Sequence, residues 1–167
     1  MRKGVAYSGS KVSVARSQER IRKMFMRYGV EAFQFSEAPL HGALQVSFQW
    51  RGLNIRLPFS VEALTVALLA DEPWSSRRRS TRDEYEAKLR HTASQTIWRH
   101  VENWLKAQFD AIDTGIIGFA EAFMGGVVDN QGRCLRDVVV PHLTEFAEGR
   151  AALPEFARGR DGGADVG

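Results

Sequence analysis

Two short runs near the first third of the chain, ALQVSFQW and LNIRLPF, alternate apolar and polar residues with a period of two. Apolar side chains fall at Leu44, Val46, Phe48 and Trp50, then at Leu53, Ile55, Leu57 and Phe59. Strand side chains alternate between faces, so each run has one apolar and one wet side. A two-residue turn at Arg51-Gly52 sets Trp50 opposite Leu53, Phe48 opposite Ile55, Val46 opposite Leu57 and Leu44 opposite Phe59. All eight then share one face, and Gln45, Ser47, Gln49, Asn54 and Arg56 share the other. Such a sheet requires a covering layer on its apolar side.

The period changes on either side. From Ser13 to Tyr28, Val14, Ile21, Met24, Phe25 and Tyr28 recur at helical spacing, and Gly29 provides a stop. Phe33 and Phe35 alternate with Gln34 and Ser36, which predicts a first strand. Pro58 has no N–H to donate, so its strand belongs at an edge or ends there. Ser60 caps a short helix through Ala70. The stretch 71–82, DEPWSSRRRSTR, lacks apolar periodicity and reads as a loop. Thr81 and Glu84 then form a capping box. The stripe that follows (Tyr85, Leu89, Ala93, Ile97, Val101, Trp104, Leu105, Gln108, Ile112, widened by Trp98 and Phe109) predicts one helix to about Asp113, ended by Gly115. About 30 helical residues span about 45 Å, more than three strands about 4.8 Å apart can cover. The far half of this helix is therefore expected to cover the C-terminal segment or another subunit. Phe119–Met124 reads as a short amphipathic piece and Asp129–Gly132 as a turn. Leu135, Val138, Val139 and Leu143 suggest a last helix or extended segment interrupted near Pro141. The expected fold is a single α+β domain over residues 13–148. An N-terminal helix and the long helix cover the apolar face of a three-stranded antiparallel meander, and short C-terminal helices close one end. Residues 1–12 are expected to be loose and 149–167 disordered.

At 167 residues the chain matches the size of one domain. Hydrophobic residues at 44% and charged residues at 26% place it among globular chains. Its longest apolar run, Ala63–Ala70, is too short to span a bilayer, and no apolar core follows Arg2 and Lys3 as a secretory signal would require. A single cysteine, Cys134, excludes an internal disulfide. These features fit a cytoplasmic location.

Charge is unevenly distributed. Residues 1–30 hold eight Lys/Arg and one acid, whereas 101–167 hold six bases and eleven acids, on a chain of net charge +3. A basic front end attracts phosphates, or it is one solvated helix face. Catalytic signatures are absent. His41, His91, His100 and His142 do not form the i, i+4 pair of a helical zinc hydrolase, and Gly125-Gly126 lacks the lysine of a nucleotide-binding loop. Cys134 reads as a small buried thiol despite the neighbouring Arg133. Glu102, Asp110 and Asp113 read as solvated helix acids rather than a magnesium site. The expectation is no catalytic residue, no metal and no cofactor.

Three basic clusters are candidates for contact with DNA or RNA phosphates. These are Arg16, Arg20, Arg22, Lys23 and Arg27 of the first helix, Arg77, Arg78, Arg79 and Arg82 of the loop, and Arg51 with Arg56 of the hairpin. Trp74 is the aromatic placed to stack on a base. The competing expectation is a protein-interaction module, an inhibitor or assembly factor contacting a host protein or a second copy through Trp98, Trp104 and Phe109.

Val12-Ser13-Val14, Ser17, Ile21 and Arg27-Tyr28-Gly29, then Val46-Ser47-Phe48, Gly52 and Ile55-Arg56-Leu57-Pro58, resemble a family of uncharacterised small proteins of phage and prophage genomes. Trp98-Arg99, Lys106-Ala107, Ala111-Ile112, Gly115-Ile116, Phe119, Glu121, Phe123, Asp129 and Gly132-Arg133 extend the resemblance over about residues 12–140. Against that pattern Val61–Ala70 looks like an insertion, and Cys134 replaces a small polar residue. The resemblance implies a mobile-element accessory protein and no activity or site residue.

Overall fold

The computed structural model describes residues 12–38 and 42–150. The expectations for 1–11 and 151–167 lie outside these residues. The element order is α1 Val14–Arg27, β1 Ala32–Ala38, β2 Ala43–Trp50, β3 Leu53–Ser60, α2 Val61–Asp71, α3 Arg82–Asp113, α4 Phe119–Phe123, α5 Leu135–Val139 and α6 Leu143–Ala147. Single 3-10 turns at Met124–Gly126 and Val140–His142 link the last three.

The hairpin register follows the alternation: Trp50 lies opposite Leu53, Phe48 opposite Ile55, Val46 opposite Leu57 and Leu44 opposite Phe59. Arg51 and Gly52 both have positive φ, 46° and 77°, the mirror-image turn whose twist matches that of the strands. Arg51 is not glycine, and two contacts offset the local strain. Its N–H donates to Glu31 at 2.8 Å, and its guanidinium lies 4.4 Å from the centre of the Trp50 ring. β1 adds antiparallel to β2, setting Phe33 beside Phe48 and Phe35 beside Val46, so the sheet order is β1-β2-β3.

One face of this sheet is covered by α1 and the C-terminal half of α3. The core they enclose holds Ile21 and Phe25 from α1, Leu44, Val46, Phe48, Ile55 and Leu57 from the hairpin, and Trp98, Val101, Leu105 and Phe109 from α3. Phe119 and Phe123 of α4 close its end: Phe119 stacks on Trp50 at 3.6 Å and Phe123 meets Phe48 edge-on at 5.3 Å. Trp98 is fully buried and satisfies its indole N–H on the Glu37 carboxylate at 2.8 Å, which explains an acid on the apolar side of β1. The turn at Met124–Gly126 presses against β3. A Cβ on Gly126 would sit 2.9 Å from Leu57 Cδ2 and 3.1 Å from the Arg56 carbonyl, so only glycine fits there without a shift.

The other half of α3 differs from expectation. It packs against α2 rather than the C-terminal segment, and Ser60 starts α2 by accepting the Ala63 N–H at 3.0 Å. Tyr85 donates to the Glu72 carbonyl at 2.6 Å, and Arg90 pairs with Glu62 at 3.5 Å. The Thr81–Glu84 capping box is present in both directions. Among the described residues no helix is long and apolar enough to cross a membrane.

Candidate nucleic-acid interface

α1 is held by its inner face, which buries Ser17, Ile21 and Phe25. Its outer face carries five bases against the single acid Glu19. Arg16, Arg22, Lys23 and Arg27 are exposed, and Arg20 is half-buried on the flank facing α3. Arg22 and Lys23 share Glu19 at 3.6 and 3.7 Å, distances at which solvated pairs hold weakly. Arg22 leans the opposite way from Arg20, over the Phe35 ring of β1 at 5.5 Å, and Arg27 lies 5.5 Å from the Tyr28 ring centre. The helix thus forms a ridge with cations along its crest and on both flanks.

Arg20 takes part in a cluster that periodicity alone misses. Glu102 is buried on α3, and its carboxylate accepts from Ser17 at 2.9 Å, Arg20 at 3.0 Å and Arg99 at 2.7 Å. Glu102 is therefore not the solvated acid expected of a long helix. Burial alone would push its carboxyl upward, but hydrogen bonds from Arg99, Ser17 and Arg20 outweigh that and hold it below the ordinary carboxylate range. Two guanidiniums share one carboxylate, so the cluster keeps a net positive charge. A signal for it exists in the chain: Ser17 interrupts the apolar line of α1, and Glu102 interrupts the line Trp98, Leu105, Phe109 of α3. Each such break marks a buried polar group that needs a partner, without naming which one.

The loop arginines stand apart from this ridge. From Arg82 to Glu102, twenty residues of straight helix separate the two regions by about 30 Å. Arg78 is tied to Glu72 at 2.7 Å and lies 4.3 Å from the Tyr85 ring centre, and Arg82 pairs with Glu86 at 2.9 Å. Arg77 and Arg79 extend outward. Trp74 is half-buried and donates its indole N–H to the Ser80 carbonyl at 3.1 Å, which closes the loop on itself.

The hairpin cations also divide. Arg51 stays exposed at the turn. Arg56 does not line an open wet face as a free cation; it donates to the Gly132 carbonyl and, from Nε, to Cys134 Sγ at 3.4 Å. It anchors the 127–134 segment, whose Val127 bridges Ile55 on the edge of β3. Cys134 is buried beneath it, and Arg133 instead pairs with Asp129 at 2.8 Å. The wet face of the sheet is a shallow depression of about 500 Å³ lined by Gln34, Gln45, Ser47, Gln49 and Asn54, together with Arg56 and Phe33.

Of the three aromatics offered as an interaction surface, Trp98 and Phe109 belong to the core. Trp104 alone remains at the surface, 38% exposed, beside Pro58, Phe59 and His100. Among the described residues no group of three or more His, Cys, Asp or Glu side chains is placed to hold a metal ion. Compared with protein-family models, with characterised proteins and with solved structures, the chain matches none.

Proposed function

We propose that this chain is a non-catalytic accessory protein that binds nucleic acid through the outer face of α1. The observation that supports it is the ridge itself: five bases against Glu19 on a helix bolted to the core by Ile21 and Phe25. Phosphate attraction needs clustered cations and no further chemistry, and a rigid scaffold lowers the entropy lost on binding. Arg51, Arg77 and Arg79 add positive charge at more distant points. The resemblance to phage and prophage proteins suggests a mobile-element setting in the cytoplasm of a host cell. An electrophoretic mobility titration at low salt, with pooled DNA and RNA, tests the reading. A shift at micromolar protein that fades as salt rises is expected; no shift would sink it.

A second reading, a protein-interaction module that docks a host protein or another copy, is favoured by one feature. Trp104 with Pro58 and Phe59 leaves an apolar strip open between β3 and α3. Light scattering separates the two readings. A strict monomer whose Trp104→Ala variant still binds nucleic acid supports the first.

A further inference from the structure

The geometry points to double-stranded DNA as the polymer that α1 contacts, its ridge seated along the major groove. This inference rests on the nucleic-acid reading above and narrows it. A single strand is recognised by bases stacked on open aromatic faces. Around α1 all but one of those faces are taken; Phe33 is 36% exposed, one ring where a strand needs several. Tyr28 stacks on Phe109 at 4.5 Å with Arg27 beside it, Trp50 lies between Phe119 and Arg51, Phe35 is covered by Arg22, and Phe33 packs against Phe25 and Phe35. The depression on the wet sheet face is lined mainly by amides and a serine, with Phe33 as its exposed ring and Arg56 bonded to the 127–134 segment.

The placement of charge suits two phosphate walls. Arg22 leans toward β1 and Arg20, tied to Glu102 in a cluster that keeps a net positive charge, leans toward α3, so positive charge stands on opposite flanks of one helix, with Arg16, Lys23 and Arg27 along its crest. A helix with its side chains is about 10–12 Å across and the major groove of B-form DNA about 12 Å wide. The major groove of an A-form RNA duplex is too deep and narrow to admit it, and RNA duplexes are read through 2′-hydroxyls in the minor groove. The outer face of α1 carries cations, Glu19 and Met26; the one amide of the helix, Gln18, is half-buried and its one hydroxyl, Ser17, is buried, so it offers little of what that recognition uses.

Fluorescence anisotropy of the full chain with a mixed-sequence DNA duplex, one of its separated strands and the RNA duplex of the same sequence tests the inference. The DNA duplex is expected to bind roughly tenfold or more tighter than either alternative. Its salt dependence should have a slope of roughly −4, the value for four to five neutralised phosphates. A double charge reversal, K23E/R27E, should weaken duplex binding roughly tenfold or more with an unchanged melting temperature, because both side chains are exposed. Single-stranded DNA or duplex RNA bound as tightly as duplex DNA would overturn this inference and leave the broader reading standing. So would a K23E/R27E protein that melts normally and binds like the parent. Failure to bind any of the three probes would overturn both.

Discussion

The two halves of α3 are built differently. The half from about Ala93 to Asp113 lies against a sheet, α1 and α4, and its neighbours are aromatic: Phe25, Phe48, Phe119 and Phe123 surround Phe109 and Leu105. The half from Arg82 to His91 has one covering helix, and its link to that helix runs through Tyr85, Leu68 and polar contacts at Glu72 and Glu62. Area removed from water is what stabilises a fold most, so the inner half defines the folding unit and the outer half hangs from it. The two basic regions inherit this difference. The α1 ridge is fixed on the inner half, with Arg20 bound to Glu102 and with Arg22 and Lys23 sharing Glu19, whereas the loop arginines ride on the outer one, with Arg78 and Arg82 bound to local acids.

The largest test of that asymmetry is Phe48→Asp. Phe48 is 4% exposed at the centre of the aromatic cluster, and an unpaired charge there should abolish the cooperative melt altogether. A transition like that of the parent would refute the packing described.

Next is Glu102, which ties α1 to the inner half. Glu102→Ala leaves Arg20, Arg99 and Ser17 without their acceptor and should cost about 3 kcal/mol in denaturant unfolding. The same group gives a pH dependence. Its folded-state carboxyl sits below the ordinary value of 4.5, so its contribution is complete above that pH and is lost as pH falls below 4.5 toward the depressed value. Acid unfolding curves should therefore fall more steeply for the parent than for Glu102→Gln.

The outer half should respond less. Tyr85→Phe removes the hydrogen bond to the Glu72 carbonyl and should cost about 1 kcal/mol. Amide exchange should quicken in α2 and in residues 82–91 while α1 stays protected; uniform quickening would mean that the halves unfold as one. Smallest is Glu62→Ala, which removes a half-exposed pair with Arg90 and should change stability by less than about 0.5 kcal/mol.

Sequence and structure divide along the range of the interactions involved. Alternation in 43–59 determined the strands and their apolar face, and the turn at Arg51-Gly52 their register, because a period of two about that turn puts all eight apolar side chains on one face. Thr81 and Glu84 marked the start of α3, and Gly115 its end, because caps are satisfied within a few residues. The basic face of α1 was equally legible, since its residues are neighbours on one helix. The fate of individual polar residues was not. Arg56 reads as free until Gly132 and Cys134 arrive from 76 and 78 positions away, and Trp74 until its loop closes on Ser80. Glu102 meets Ser17 across 85 positions, an encounter that depends on the rotation and height at which α1 docks on α3. Periodicity names the face a side chain occupies but not the neighbour set against it. That neighbour is chosen when whole elements pack, and with it which charges are spent inside the fold and which are left for a partner.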